Sequence, residues 1–280
     1  MNEIAAKLKE VVERYGPESV VITRHDAHRW FLPLFQYLEG TPNLIGHDGT
    51  CHGASTSARR AVLGAGGPPS VDPDYENVTY LVLVGRNLDV SMGLVRRLVA
   101  AREREVKIVV VNPRAPNIAF SSVEWVPIIP GTDAAFLMAV AYVIINEGLY
   151  DVDFVKRYTN APMIVKPDGT PLGGKEVGVE GDYVAWDAAG SAPVPLGKAK
   201  DPVLVLSKEA GQRVGGARTV WELFVERVSK YPPDVAAKIT GVPADTVVKI
   251  AKKFAAARGV IEEGGTPLET ATTSTHTAVS

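Results

Sequence analysis

Three continuous apolar runs, each ending in a polar loop, organise the middle of this chain. Tyr80-Leu-Val-Leu-Val84 runs into Gly85-Arg86-Asn87, and Lys107-Ile-Val-Val-Val111 runs into Asn112-Pro113-Arg114. Trp125-Val-Pro-Ile-Ile129 runs into Pro130-Gly131-Thr132-Asp133. The runs predict strands over 78–84, 107–111 and 124–128, and helical periodicity between and after them predicts helices over 90–104 and 134–147. Unbroken β-branched runs, rather than apolar–polar alternation, are expected where helices cover both faces of a parallel sheet. The pattern therefore gives an α/β protein with a mostly parallel sheet and helices on both faces. Such sheets take ligands at the carboxyl ends of their strands, which is where the three polar loops fall.

Elsewhere the pattern is less regular. Ile4, Leu8, Val11, Val12 and Tyr15 share one face of a helix over 2–15, which Gly16-Pro17 stops before a strand over 19–23. A second helix through Trp30, Leu34 and Tyr37 ends at Gly40, and a turn-rich loop follows to Ala54. From His52 to Leu63 the spacing is helical again, before a glycine- and proline-rich loop over 64–73. Residues 160–218 break the strand–helix rhythm with eight glycines and prolines between Pro162 and Gly181, and read as a hairpin-bearing excursion rather than a separate core. Helices return over 219–230 and 243–257, with Val260-Ile261 as a last strand. Four parts follow: 1–70, 71–160, 161–218 and 219–280.

The 280 residues suffice for one large or two medium domains. Thirty basic against 32 acidic residues leave a net charge of -2, so bulk electrostatics favour no nucleic-acid or anionic-membrane partner. The opening residues Met1–Glu10 lack the apolar core of a signal peptide, so a soluble chain without its own export signal is expected. One cysteine excludes an intrachain disulfide, and an all-cysteine iron–sulfur or zinc site cannot be built from this chain alone.

That cysteine, Cys51, lies in Gly40-Thr-Pro-Asn-Leu-Ile-Gly-His-Asp-Gly-Thr-Cys-His-Gly-Ala54, with His47 and His52 close by. A lone thiolate after a glycine-punctuated loop can ligate a soft metal, although a single cysteine is more commonly a small buried residue. Gly85 and Asn87 either turn a strand into a helix or let the backbone approach a phosphate. Asn112 either closes a strand-end turn or bonds a ribose hydroxyl, and Asp133 either caps the next helix or accepts from a base. A nucleotide-binding α/β module without redox chemistry, an inactive remnant and a cysteine hydrolase remain alternatives at this point.

The run Pro130-Gly-Thr-Asp-Ala-Ala-Phe-Leu-Met-Ala through Lys156-Arg-Tyr-Thr159 resembles the molybdopterin oxidoreductase family, also called the dimethyl sulfoxide reductase family. Val-Val-Asn-Pro-Arg114, Gly85-Arg-Asn87, the Cys51 loop and Ala237-Lys-Ile-Thr-Gly-Val-Pro-Ala-Asp-Thr-Val-Val-Lys-Ile-Ala251 match that family in order and spacing. The Cys51 loop is most similar to the branch comprising polysulfide, thiosulfate, tetrathionate and arsenate reductase catalytic subunits.

The resemblance implies the Rossmann-like middle domains of such an enzyme. It implies molybdenum or tungsten held by two molybdopterin guanine dinucleotides, with Cys51 as metal ligand and His52 as a second catalytic residue. Gly85, Asn87, Asn112, Gly131, Thr132 and Asp133 would contact the cofactor. Residues 1–70 would carry the metal-ligand loop of the second family domain, 71–160 the dinucleotide-type domain and 219–280 helices returning to the second domain. The family begins with a four-cysteine segment holding a [4Fe-4S] cluster and ends with a large domain, and neither is found here; the chain is therefore expected to be a fragment or one part of a split protein. Partners implied are those missing domains, a membrane anchor, an iron–sulfur electron-transfer subunit, and a small oxyanion substrate. Complete members of this branch are usually exported and membrane-associated. One departure stands out, since Asn112 occupies a position where the family usually has aspartate.

Overall fold

The computed structural model describes residues 1–24, 31–46, 57–58, 77–85, 99–100, 103–116, 123–257 and 259–263. These fall in two compact units, one within Met1–Val71 and the other within Asp72–Gly264.

The first unit contains α1 (Asn2–Tyr15), β1 (Ile22–Arg24), α2 (Phe31–Glu39) and β2 (Leu44–Gly46). Neither helix has a buried residue, and Ile4, Tyr15, Phe31 and Leu38 are all largely exposed. The strand expected over 19–23 begins later because Pro17–Ser19 takes a 3-10 turn. β1 and β2 pair in parallel, Ile22 opposite Leu44. Buried Thr41 sets the approach: its hydroxyl donates to the Val20 carbonyl at 2.6 Å and accepts from the Asn43 amide at 3.1 Å. The sequence pattern gives no sign of β2, since three residues between Pro42-Asn43 and the following histidine carry too little periodicity to register.

The second unit runs β3 (Tyr80–Val84), β4 (Lys107–Val111), β5 (Val123–Val126), α3 (Asp133–Asn146), α4 (Val152–Tyr158), β6 (Ile164–Val165), β7 (Val184–Asp187), β8 (Ala192–Pro195), α5 (Lys208–Arg213), β9 (Arg218–Thr219), α6 (Val220–Val228), α7 (Pro233–Thr240), α8 (Ala244–Ala256) and β10 (Gly259–Glu263). Its sheet has the order β10-β3-β4-β5, with every neighbouring pair parallel. Leu81, Leu83, Ile108 and Val110 pack with Val78 and Val106 into one apolar cluster. Residues of the alternate parity, Val82, Val84, Val109 and Val111, are equally buried. Burial on both parities explains why these strands read as unbroken runs; each such side chain contributes about 1.5–3 kcal/mol.

α8 packs against β10 and β3, and α3 packs against α7 and α8. β10 completes this sheet, pairing with β3 over its full length, and Val247, Ile250 and Ala251 bury one face of α8. The excursion over 160–218 also differs from expectation in burying an apolar cluster of its own, built from Ile164, Leu172, Val184, Trp186, Val214 and neighbours. Each short piece supplies only one or two apolar residues, so no run long enough to announce a core appears in the sequence. β7 and β8 form its antiparallel hairpin, and β6 pairs antiparallel with β9. Among the described residues no helix is long and apolar enough to cross a membrane.

The segment joining β5 to α3 is tied to α7. The Ile129 amide donates to the Thr240 carbonyl at 2.9 Å, and buried Thr240 in turn donates its hydroxyl to the Ala236 carbonyl and accepts from the Val242 amide at 3.1 Å. Thr240→Val keeps the shape but strands the buried Val242 amide, and should cost about 1–3 kcal/mol in equilibrium urea unfolding.

Candidate functional site

The carboxyl ends of three adjacent parallel strands are fixed by a ladder that continues past the strands themselves. After β3, the Gly85 amide donates to the Val111 carbonyl at 2.9 Å; after β4, the Asn112 amide donates to the Val126 carbonyl at 3.1 Å. Gly85 has φ +64°, a left-handed conformation that turns the chain out of the sheet without a side chain in the way. Asn112 is held at both ends, because the Trp125 indole donates to its carbonyl at 2.8 Å while its own Oδ1 accepts from the Arg114 amide at 3.0 Å. That second bond is an Asx-type turn, which asparagine supplies without a charge.

After β5, the chain reaches Gly131 at φ +80° and enters α3. Thr132 precedes the helix but does not cap it: its hydroxyl donates to the Ile129 carbonyl at 2.6 Å. Asp133 is the first residue of α3 and is 6% exposed. Burial pushes its carboxyl pKa above the ordinary value, opposed by a hydrogen bond from its own amide. No cation or side-chain donor from the described residues reaches it. A buried carboxyl group at a helix amino terminus, aligned with the helix dipole and held only by its own amide, retains the capacity to accept further hydrogen bonds.

The chain order adds a second reason to look at this edge. The path moves outward from β3 to β4 to β5, then returns through the helices to place β10 on the other side of β3. β3 is thus the strand at which the winding reverses, and ligands of open α/β sheets sit at the carboxyl end of such a reversal.

Gly85, Asn112, Gly131, Thr132 and Asp133 therefore all follow the carboxyl ends of neighbouring strands. Cys51, His52, His47 and Asn87 lie outside the described residues. Two contributors do not stand out in the sequence as site residues. Trp125, which by its surroundings reads as a core or interface aromatic, is 43% exposed and anchors Asn112; the available signal is a tryptophan next to the strand end, whose N–H needs an acceptor. Thr240, which anchors the Asp133 turn, leaves no sequence signal, being one threonine in a helix more than a hundred residues away.

The family model for molybdopterin oxidoreductase matches residues 1–225. This chain belongs to the molybdopterin oxidoreductase family. It is 28% identical over 269 residues to a sulfite dehydrogenase subunit of Allochromatium vinosum, covering 90% of this chain and 28% of that protein. It is 34% identical over 165 residues to the thiosulfate reductase molybdopterin-containing subunit PhsA of Salmonella typhimurium, covering 57% of this chain and 21% of that protein. Acetylene hydratase from Pelobacter acetylenicus superposes with a TM-score of 0.61 at 25% identity, over 99% of this chain and 30% of that one. The chain spans about 20–30% of the length of the curated relatives it matches. Membership in the molybdopterin oxidoreductase family implies a pterin cofactor carrying molybdenum or tungsten, and the relatives' names mark several of them as subunits of larger enzymes.

The raised pKa of Asp133 has a definite sign in stability. The folded state holds the proton more tightly than the unfolded state does. Its stabilising contribution is therefore complete below the ordinary carboxylate pKa, about 3.9, and is lost as pH rises through the folded value. Asp133→Asn carries no charge at any pH. In thermal unfolding of the chain across pH, the variant should lack this part of the profile and be at least as stable as the parent at neutral pH.

Proposed function

We propose that this chain is a segment of the catalytic subunit of a molybdenum or tungsten bis(molybdopterin guanine dinucleotide) oxidoreductase. Its substrate class is a sulfur or arsenic oxyanion or a polysulfide. The observation that carries the cofactor part is the buried, otherwise unneutralised carboxylate of Asp133 following the same sheet edge as Gly85 and Asn112. The substrate class rests on the Cys51 loop and on relatives named sulfite dehydrogenase and thiosulfate reductase.

The residues suit the nucleotide end of that cofactor. Guanine offers N–H donors, and a desolvated carboxylate is the acceptor that gains most from them. Gly85 leaves its backbone open to a phosphate, and Asn112 can bond a ribose hydroxyl. Asparagine makes that bond as a neutral acceptor, weaker than the family's usual aspartate. Thr132 and Gly131 would shape the turn against the base. Cys51 would ligate the metal through its thiolate, which suits an ion already bound by sulfur. His52, whose imidazole can both accept and donate a proton, would hold or deliver one beside it. The cofactor, when bound, supplies the redox chemistry; the protein contributes position, water exclusion and charge.

The partners that fit this role are the remaining family domains, a membrane anchor and an iron–sulfur electron-transfer subunit. A [4Fe-4S] cluster would belong to the complete enzyme, as this chain has one cysteine. By the same reading, residues 1–70 and 71–160 divide the work, the first carrying the metal ligand and the second the dinucleotide.

Two substitutions in the loaded enzyme separate these roles. Cys51→Ala should abolish turnover while the dinucleotides stay bound, with X-ray absorption at the metal edge recording one sulfur ligand fewer. Asp133→Asn should instead weaken cofactor retention by about 1.5–3 kcal/mol, followed as guanine released during dialysis. Full activity in Cys51→Ala with an unchanged sulfur count would overturn the ligand assignment.

A further inference from the structure

The opposite end of the sheet carries a feature that the cofactor edge does not use. Tyr80, Lys107, Val123 and Glu124, at the amino ends of β3, β4 and β5, line a small cleft together with Lys253 of α8. Its volume is about 120 Å³. One water needs roughly 10–15 Å³ of such space, so the cleft has room for a small tetrahedral ion and too little for a nucleotide. β3 advances about 3.3 Å per residue, so Gly85 lies about 16 Å away along the strand and is not part of this cleft.

Tyr80 is the first residue of β3 and only 4% exposed, yet its hydroxyl has no hydrogen-bond partner among the described residues. Burial, with the Glu124 carboxylate nearby, pushes its pKa up to about 12, so the group stays a proton donor throughout the physiological range. A buried hydroxyl left unpaired is costly, and phenylalanine would serve better if this position only filled space. Two ammonium groups share the cleft. Neither Lys107 nor Lys253 has a carboxylate partner among the described residues. Glu124, the one acid among the described residues that line the cleft, is ion-paired with Lys249. Among the described residues, the lining thus offers one buried O–H donor and two cations without a carboxylate partner, against one carboxylate held in an ion pair with Lys249.

We propose that this cleft binds a small inorganic oxyanion, with the Tyr80 hydroxyl donating to it and Lys107 and Lys253 balancing its charge. Sulfate and phosphate share the required chemistry, four acceptor oxygens on a compact ion. The hydroxyl gives selectivity over chloride, because a buried directional donor rewards an oxygen acceptor at a fixed distance. The lysines alone would attract any anion, and salt would screen that attraction.

The test uses the 280-residue chain with tyrosine ring carbons labelled, titrated with inorganic phosphate and separately with sulfate, at ionic strength held constant with sodium chloride. One tyrosine signal, absent in Tyr80→Phe, should shift saturably with either oxyanion and not with chloride. Calorimetry should show the dissociation constant rising roughly tenfold or more in Tyr80→Phe and several-fold in Lys253→Gln. Binding to phosphate but not sulfate would assign the site to a protonated oxyanion and supports the proposal in that narrower form. Absence of a saturable shift would overturn it. So would binding that the lysine change weakens but Tyr80→Phe leaves at the parent value, since that describes surface attraction only. Circular dichroism checks that Tyr80→Phe is folded; should it not be, Lys253→Gln read at the Tyr80 signal decides alone, and an unchanged titration there overturns the proposal.

Discussion

The backbone ladder of the four-stranded sheet is the constraint on which the rest of this unit depends. Strands buried on both faces have no water available for their amides and carbonyls, so every one must pair with a neighbour. The ladder therefore cannot stop raggedly where the apolar residues stop. It runs on through the Gly85 amide to Val111 and the Asn112 amide to Val126. The consequence is that the first residues of the loops are as firmly held as the strands. A ligand meeting that edge finds groups whose ordering cost folding has already met, which is the basis of preorganised binding.

Asp133 shows the opposite use of burial. The sheet edge is ordered because its polar groups are satisfied; Asp133 is chemically poised because its carboxyl group is buried with no side-chain donor or cation from the described residues against it. A buried carboxylate is tolerated at the start of α3 because the helix dipole and its own amide offset part of the desolvation. What remains is a cost to the free protein that a donor ligand removes. The position of this group is set at a distance. Ile129 is pinned to Thr240 at the end of α7, and α7 packs on α3, so a helix remote in sequence helps to fix where α3 begins.

Legibility in the sequence follows the length over which one physical rule acts. The strands at 80–84 and 107–111 are plain because burial on both faces writes itself into almost every residue, the strand at 123–126 because Trp125-Val126 opens the apolar run to Ile129, and the helix at 133–146 because fourteen residues average out local noise. The order of the first three strands follows from their short connections. The place of β10 does not, since Gly259–Glu263 lies more than a hundred residues from the strand it pairs with, and long-range pairing has no local signature. β2 and the core of the excursion are hidden for a related reason: two- to four-residue strands leave no period to detect. At the site, Gly85, Asn112, Gly131, Thr132 and Asp133 are legible as residue types at strand ends, while their anchors Trp125 and Thr240 are not. An anchor acts through one side chain or carbonyl on a partner remote in sequence, and only the fold brings the two together.

The two ends of the sheet also explain why one chain can read so clearly in one respect and so quietly in another. At the carboxyl ends, backbone amides and a helix terminus point outward by construction, so glycine, asparagine and aspartate there need little else to offer a ligand-binding edge. At the amino ends the strand carbonyls and amides are arranged without that advantage, and binding must come from side chains. That is why the chemistry there resides in a phenol and two ammoniums, residue types that in sequence look like a strand start and an ordinary solvated helix face. Tyr80 in particular begins a run of five buried residues, and an aromatic in a strand draws no notice. Only the geometry reveals that its ring is packed while its hydroxyl is left unanswered, and a polar atom in that condition is a more specific pointer to a ligand than any number of exposed lysines.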